Sequence, residues 1–285
     1  MTSAAASVWN PHFVRASPMF AAYAPIAARW ADLECFPNAS QCAQSIASNA
    51  TAVTNRSGRA LCPEAPVPGA GASDFERAVA GSGALALRDG SWHDLLNLLV
   101  WCVFPRAKAA LNAAHVDDID RSRPTSGGSS SRPTRSALRD ALTLFDENGV
   151  VVISADASLD RLLREFRWRE LFVERRIDVV RSMRFVVFGH GLLDKARAPY
   201  LGLTGHACIL PAAPAWLALE APALATHVDA ALARELMRLR TPRDLSPLPI
   251  LGVPGWWQAN EAPAFYENDA YFRPGRHAPL RVSRA

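Results

Sequence analysis

Between Ser91 and His115 an apolar helical repeat carries His93, Asp94, Asn97, Lys108, Asn112 and His115. A polar group removed from water costs on the order of 2 kcal/mol or more unless it finds a partner. The segment therefore predicts a helix packed on most sides that opens one polar stripe. With ~100° of rotation per residue, His93 lies about 40° to one side of Asn97 and Asp94 about 60° to the other. Trp101, Lys108, Asn112 and His115 project within roughly 60° of the same line if the helix runs on. Pro105 interrupts that extrapolation, because an interior proline removes a hydrogen bond and kinks or breaks the axis. The alignment of His93, Asp94, Asn97 and Trp101 is independent of Pro105; that of Lys108, Asn112 and His115 is not.

A chain of 285 residues, 49% of them hydrophobic, can bury a large core. It sits near the length, about 250–300 residues, at which single cores stop growing. The formal charge of +4 comes almost wholly from arginine, Lys108 and Lys195 being the only lysines. No compact basic stripe accompanies it, so the composition gives no clear nucleic-acid signal. The longest apolar runs, Leu95–Phe104 and Phe185–Leu193, fall short of the ~20 residues of a membrane span. The N-terminus lacks a basic flank followed by an apolar stretch, and cytoplasmic location is the expectation. Cys35, Cys42, Cys62, Cys102 and Cys208 form no C-x-x-C pair. Cys35, Cys42 and Cys62 are close enough for one bridge, but reduced thiols are the simpler reading.

Residues 1–25 have weak periodicity and are expected to form a loosely docked arm; residues 26–285 are expected to form a single α+β domain. Asp74–Gly81 predicts a short helix and Ala84–Arg88 a short extended piece. The Ser, Gly and Arg-rich stretch within 117–135 predicts a mobile loop. Ala141–Phe145 and Val150–Ile153 flank Asn148-Gly149 and predict a β-hairpin. Leu159–Arg184 reads as helical, Phe185–Lys195 as a second apolar helix, Leu201–Leu210 as a strand and Leu217–Leu239 as a helix. Pro247–Arg276 reads as an irregular wrap. The fold expected is a mostly helical α+β domain with a small antiparallel hairpin or sheet and long irregular connections.

Candidate chemistry centres on the stripe. Ser91-x-x-Asp94 has the form of a helix-capping box, which does not exclude a second role for Asp94. Asn97 among leucines needs a hydrogen-bond partner. Asp146 and Glu147 would sit at the hairpin turn, and Asp140 or Asp146 could join His93 in acid/base or hard-metal work. In Phe188-Gly-His190-Gly-Leu-Leu-Asp194, glycine on both sides of His190 permits close backbone approach, and His190 and Asp194 stand one helical turn apart. H-E-x-x-H, G-x-S-x-G, P-loop and G-x-G-x-x-G patterns are absent, so the sequence names neither cofactor nor metal.

Several segments, in order, resemble the bacterial family of unknown function numbered 3025. They are Ser57-Gly-Arg59, Trp92–Asn97 through Phe104–Lys108 to Asn112, Arg139–Gly149, Phe188-Gly-His190 and Gly252–Trp256. The resemblance spans about Trp30 to Arg276, with Arg121–Thr134 as an insertion. It implies one bacterial domain and carries no activity.

The expectation is a hydrolase acting on a small anionic ester. His93, Asp94 and Asp146 are its catalytic candidates, with Asp94 orienting His93. Asn97, Lys108, Asn112, Arg139, Glu147 and His190 are the ligand-binding candidates, with Lys108 or Arg139 holding the anion. The competing expectation is a non-catalytic binding or scaffolding protein in which these residues form a structural hydrogen-bond network.

Overall fold

The computed structural model describes residues 8–122 and 135–275. The N-terminal segment expected to dock loosely buries Phe13, Met19, Phe20 and Tyr23, and the Tyr23 hydroxyl donates to the Val187 carbonyl at 2.5 Å. It is followed by the short helices α1 (Ala24–Ala27) and α2 (Ala39–Ala47). A parallel pair, β1 (Cys62–Glu64) and β2 (Ala84–Ala86), is joined by α3 (Ala72–Ser82). Gly83, at φ 80°, closes α3 in the left-handed conformation, which glycine adopts without a Cβ penalty.

The apolar repeat forms two helices, α4 (Trp92–Val103) and α5 (Pro105–Arg121). Proline costs nothing at a first helical position, whose N–H has no intrahelical partner anyway. The next amides, Arg106 and Ala107, donate to the Asp229 carboxylate at 2.9 and 2.8 Å. Asp229 lies on α10 (Ala221–Leu236) and is buried. The break is thus capped from a distant helix, and a carboxylate is well placed at the positive end of α5. Of α4, every residue but His93 is buried.

Three sequence expectations are corrected. Ala141–Phe145 is not a strand: α6 (Ala137–Asn148) runs straight into β3 (Gly149–Ser154). Ser136 caps α6 by accepting from the Arg139 amide, and Ala141, Leu142 and Phe145 form its buried face at helical spacing. That period overrides the Asn-Gly turn signal. Gly149 is extended instead of turning back, and a Cβ there would meet the Phe145 carbonyl oxygen at 2.4 Å. Second, Phe185 does not begin a helix. Met183–Val187 is strand β4, and α9 starts at His190 and ends at Ala196. Third, Ser246–Pro249, which overlaps the start of the irregular wrap expected over Pro247–Arg276, forms strand β6. Its prolines are tolerated because it is an edge.

The larger sheet has the order β4-β3-β5-β6, where β5 is Thr204–Pro211. β3 pairs antiparallel with β4 and parallel with β5, and β5 pairs antiparallel with β6. The sheet is therefore mixed. All six residues of β3 are buried, as a central strand covered on both faces requires. Between β3 and β4 lie α7 (Ala157–Arg164) and α8 (Arg176–Ser182). Of the expected loop at 117–135, Asp117–Arg121 is the end of α5, and 123–134 lie outside the described residues. All five cysteines are free thiols. Among the described residues, no helix is long and apolar enough to cross a membrane.

Candidate metal centre

The junction of α6 with β3 and the start of α9 approach each other at glycines. A Cβ on Gly189 would stand 2.5 Å from the Asn148 and Gly149 amides and the Glu147 carbonyl. A Cβ on Gly191 would stand 2.3 Å from Glu147 Oε2. At position 189, where the close atoms are backbone, only glycine lets α9 start, and this places His190 directly beside Asp146 and Glu147. α4, packed on α9, brings His93 from the other side.

The result is a three-atom cluster. His93 Nε2 and His190 Nε2 face each other at 3.1 Å. Glu147 Oε1 lies 3.8 Å from the first and 3.5 Å from the second. A triangle with those edges has a centre about 2.0 Å from each corner, which is the bond length of Zn²⁺ to imidazole nitrogen or carboxylate oxygen. His93 and Glu147 remain about two-fifths exposed, while His190 is buried, so such an ion keeps an open side.

Behind this triangle stands Asp146. Its Oδ2 lies 3.8 Å from His190 Nδ1, and its Oδ1 accepts from Lys108 Nζ at 2.5 Å. His190 Nδ1 makes no hydrogen bond among the described residues, so the Asp146 carboxylate acts on it through its charge alone, which favours a proton on Nδ1 and leaves the Nε2 lone pair free for a metal. Burial would raise the Asp146 carboxyl, but Lys108 and then His190 outweigh it and hold it below the ordinary aspartate range. Burial lowers His190 to about 4 against the opposing pull of Asp146, so its imidazole is neutral at pH 7, the form that ligates. Burial, reinforced by Asp146 and opposed by His93, raises Glu147.

These groups open into a cleft of about 830 Å³ that also contains Asp94, Asn97 and His115. Of the candidates, His93, Asp94, Asn97, Asp146, Glu147 and His190 share this cleft. Lys108 lies behind Asp146, and Asn112 donates to Glu76 Oε2 at 2.6 Å and to the Glu76 carbonyl at 2.9 Å. Arg139 does not reach the cleft: it is bound to Asp118 at 2.9 Å. Asp140 pairs with Arg135, and Asp194 pairs with Arg197 instead of with His190. Asp94 accepts from the Arg88 amide, Nε and Nη2 at 2.9, 2.7 and 2.6 Å, so it fixes Arg88 instead of orienting His93. The Ser91 hydroxyl accepts from the Asp94 amide at 3.3 Å, one half of the expected capping box. Asn97 is buried, yet its Oδ1 has no hydrogen-bond partner among the described residues.

Sequence reasoning missed Glu76, a cleft residue on α3. It lies in the predicted helix Asp74–Gly81 but belongs to no motif. A second cleft of similar size, beside α5 and α10, carries Arg56, Arg106, Arg121 and Arg240 and no histidine or glutamate. Of these arginines Arg56, Arg121 and Arg240 are fixed to carbonyl or carboxylate groups, and the lining has none of the chemistry collected around His190.

A family profile described as "Protein of unknown function (DUF3025)" matches residues 61–276. The chain belongs to that family. His93, Asp146, Glu147 and His190 all fall inside the matched region. No curated protein and no solved structure matches the chain.

Proposed function

We propose that this family member is a metal-dependent hydrolase with one divalent ion, of zinc type, held by His93, Glu147 and His190. The carrying observation is the facing pair of imidazole Nε2 atoms closed into a triangle by a carboxylate oxygen. Two histidines and one carboxylate with a fourth position open form a donor set for catalytic zinc, as opposed to the closed four-ligand set of structural sites. Such an ion would polarise a scissile carbonyl and lower the pKa of a bound water towards 7. Asp146 would act through His190, and Lys108 through Asp146, as positioning residues.

The alternative, a purely structural network, accounts for Asp94, Lys108, Asn112 and Asp146, each of which has its own protein partner. It leaves unexplained two imidazoles and a carboxylate converging at the open side of a cleft. The small anionic ester is the weaker part of the expectation. Lys108 and Arg139, meant to hold the anion, are both committed to aspartates.

The test is elemental analysis and zinc titration of protein purified without a histidine tag. One zinc per chain is expected in the wild type. His93→Ala and Glu147→Ala should each bind more than about 100-fold more weakly, beyond the 10–100-fold usual for outer-shell losses. A wild-type protein that takes up no stoichiometric zinc, or ligand variants that bind it unchanged, would overturn the proposal.

A further inference from the structure

We propose that the cleft hydrolyses an amide bond of a neutral or cationic, peptide-like substrate, with Glu76 as the group that carries the proton from the attacking water to the leaving nitrogen. This rests on the metal-dependent reading above and specifies its substrate class.

The charges of the cleft come first. Among the described residues Arg88 is bound to Asp94, Lys108 to Asp146 and Arg135 to Asp140, while Lys195, close enough to act on Glu147, donates to Asn148 Oδ1 at 3.2 Å. Glu64, Asp74 and Glu76 also line the cleft, and among the described residues no salt bridge engages any of them. Among the described residues lining the cleft the uncommitted side-chain charges are all negative, so a phosphate or carboxylate ester would find no cation there besides the proposed metal. An uncharged amide, or one carrying a basic group, needs none.

Shape points the same way. One wall is the unbroken run from Glu64 to Ala72, mostly Ala, Pro and Gly, and Ala84 and Ala86 of β2 also line the cleft. Small side chains let another main chain approach closely. Among the described residues β2 is paired along one edge only, with β1. An extended peptide lying along a half-paired strand is a recurring mode of recognition. Asn97, with its buried and unpartnered Oδ1, supplies an acceptor for a substrate N–H.

Glu76 is the remaining acid. Asn112 holds it twice through one amide nitrogen, at the main-chain oxygen and at Oε2. Its environment is set by α5 and α6: Asp146 stands nearby as a like charge, Lys108 as an opposite one already paired to that aspartate, and His115 is kept neutral by burial. Burial first, then Asp146, raises Glu76 to about 7. General acid–base groups work best near the operating pH. Asp146, kept ionised by Lys108, is unsuited to that task, and Glu147 is committed to the metal.

The step balances without a further reactant. The water oxygen forms a bond to the carbonyl carbon as one of its protons passes to the Glu76 carboxylate. The C–N bond then breaks as Glu76 returns that proton to nitrogen. The second water proton follows from the new carboxylic acid, leaving carboxylate and ammonium products with Glu76 ionised again. An amine is a poor leaving group without that proton, whereas the phenolate of an activated ester leaves without one.

Zinc-loaded full-length protein is to be assayed against a fluorogenic peptide library, 4-nitrophenyl phosphate and 4-nitrophenyl acetate. Peptide cleavage is expected. Glu76→Gln should lower kcat by about 100-fold or more, the usual scale of general acid–base loss, at unchanged zinc stoichiometry. Glu76→Asp should restore part of the rate with an altered pH profile. Loss of zinc from Glu76→Gln, or an equal rate in it, overturns the role of Glu76. Zinc-loaded wild type that turns over only the phosphate or acetate overturns the substrate class and leaves the metal-dependent hydrolase standing. Wild type that binds no zinc removes both.

Discussion

The Lys108–Asp146 pair gives the sharpest quantitative test of the site's scaffold. Lys108 is 3% exposed, its Nζ stands 2.5 Å from Asp146 Oδ1, and it lies 5.4 Å from the Trp101 ring centroid. Lys108→Met keeps most of the stem volume and removes only the charge. Breaking a buried pair by deleting one partner costs about 3–5 kcal/mol, chiefly from the charge left behind. The cation–ring contact adds about 0.5–2 kcal/mol. For a domain of this size, about 2–4 °C per kcal/mol turns a pair cost of 3–5 kcal/mol into a fall in Tm of roughly 6–20 °C.

The double variant Lys108→Met/Asp146→Leu should recover most of that, since replacing both charges is often neutral or stabilising. The pair's coupling is then read from a double-mutant cycle. Urea unfolding in EDTA, with constant m-values, keeps metal binding out of the measurement. The pH dependence has a definite sign. In the wild type the Asp146 pKa is depressed, so its contribution is present at neutral pH and is lost as pH falls below about 4. Without Lys108, its strongest opponent, burial prevails and the carboxyl is raised, so the variant gains stability as pH falls. The gap between the two proteins must therefore narrow from pH 7 towards pH 4. A single-variant cost below about 1 kcal/mol, or a gap independent of pH, would show that the pair is solvated and the reasoning mistaken.

His115 offers an independent pH test. Burial lowers it to about 4, so its share of the fall in wild-type stability between about pH 6.5 and pH 4 is ~3 kcal/mol at ~1.4 kcal/mol per unit, added to that of His190; urea titration of His115→Gln should show that component missing, and an identical pH profile would refute it. Gly191→Ala places a methyl where Glu147 Oε2 now lies. Zinc affinity should drop about 10–100-fold while Tm changes little, and unchanged affinity would mean that Glu147 is not a ligand. Asn97→Leu removes a buried acceptor with no partner, so stability should hold or rise by about 1 kcal/mol while peptide turnover falls; destabilisation beyond about 2 kcal/mol would assign Asn97 to the scaffold.

What could be read from the residues depended on the range of the interaction that decides each feature. The Ser91–Val103 helix was legible because its cap and apolar repeat are local, and so was the glycine pair around His190. The stripe survives the break at Pro105 for a reason no local pattern contains: Asp229, on a distant helix, caps the start of α5 and keeps Lys108, Asn112 and His115 on the cleft side. The hairpin expectation failed on a short apolar run that fits a strand and a helix equally well, and there the buried spacing of Ala141, Leu142 and Phe145 decided the outcome. That difference matters chemically. In a solvent-exposed turn, Asp146 and Glu147 would be ordinary hydrated carboxylates. In the last turn of a helix butted against Gly189 and Gly191, one is buried against a lysine and the other faces two imidazoles. Glu76 carried no local mark at all, because nothing within its own helix distinguishes it from any amphipathic acid. Its proton affinity is set first by burial and then by Asp146 and Asn112, contributed by two other helices. The residue types of the site are thus written locally. Their protonation states, on which the proposed chemistry turns, are written only in the packing of α3, α5 and α6.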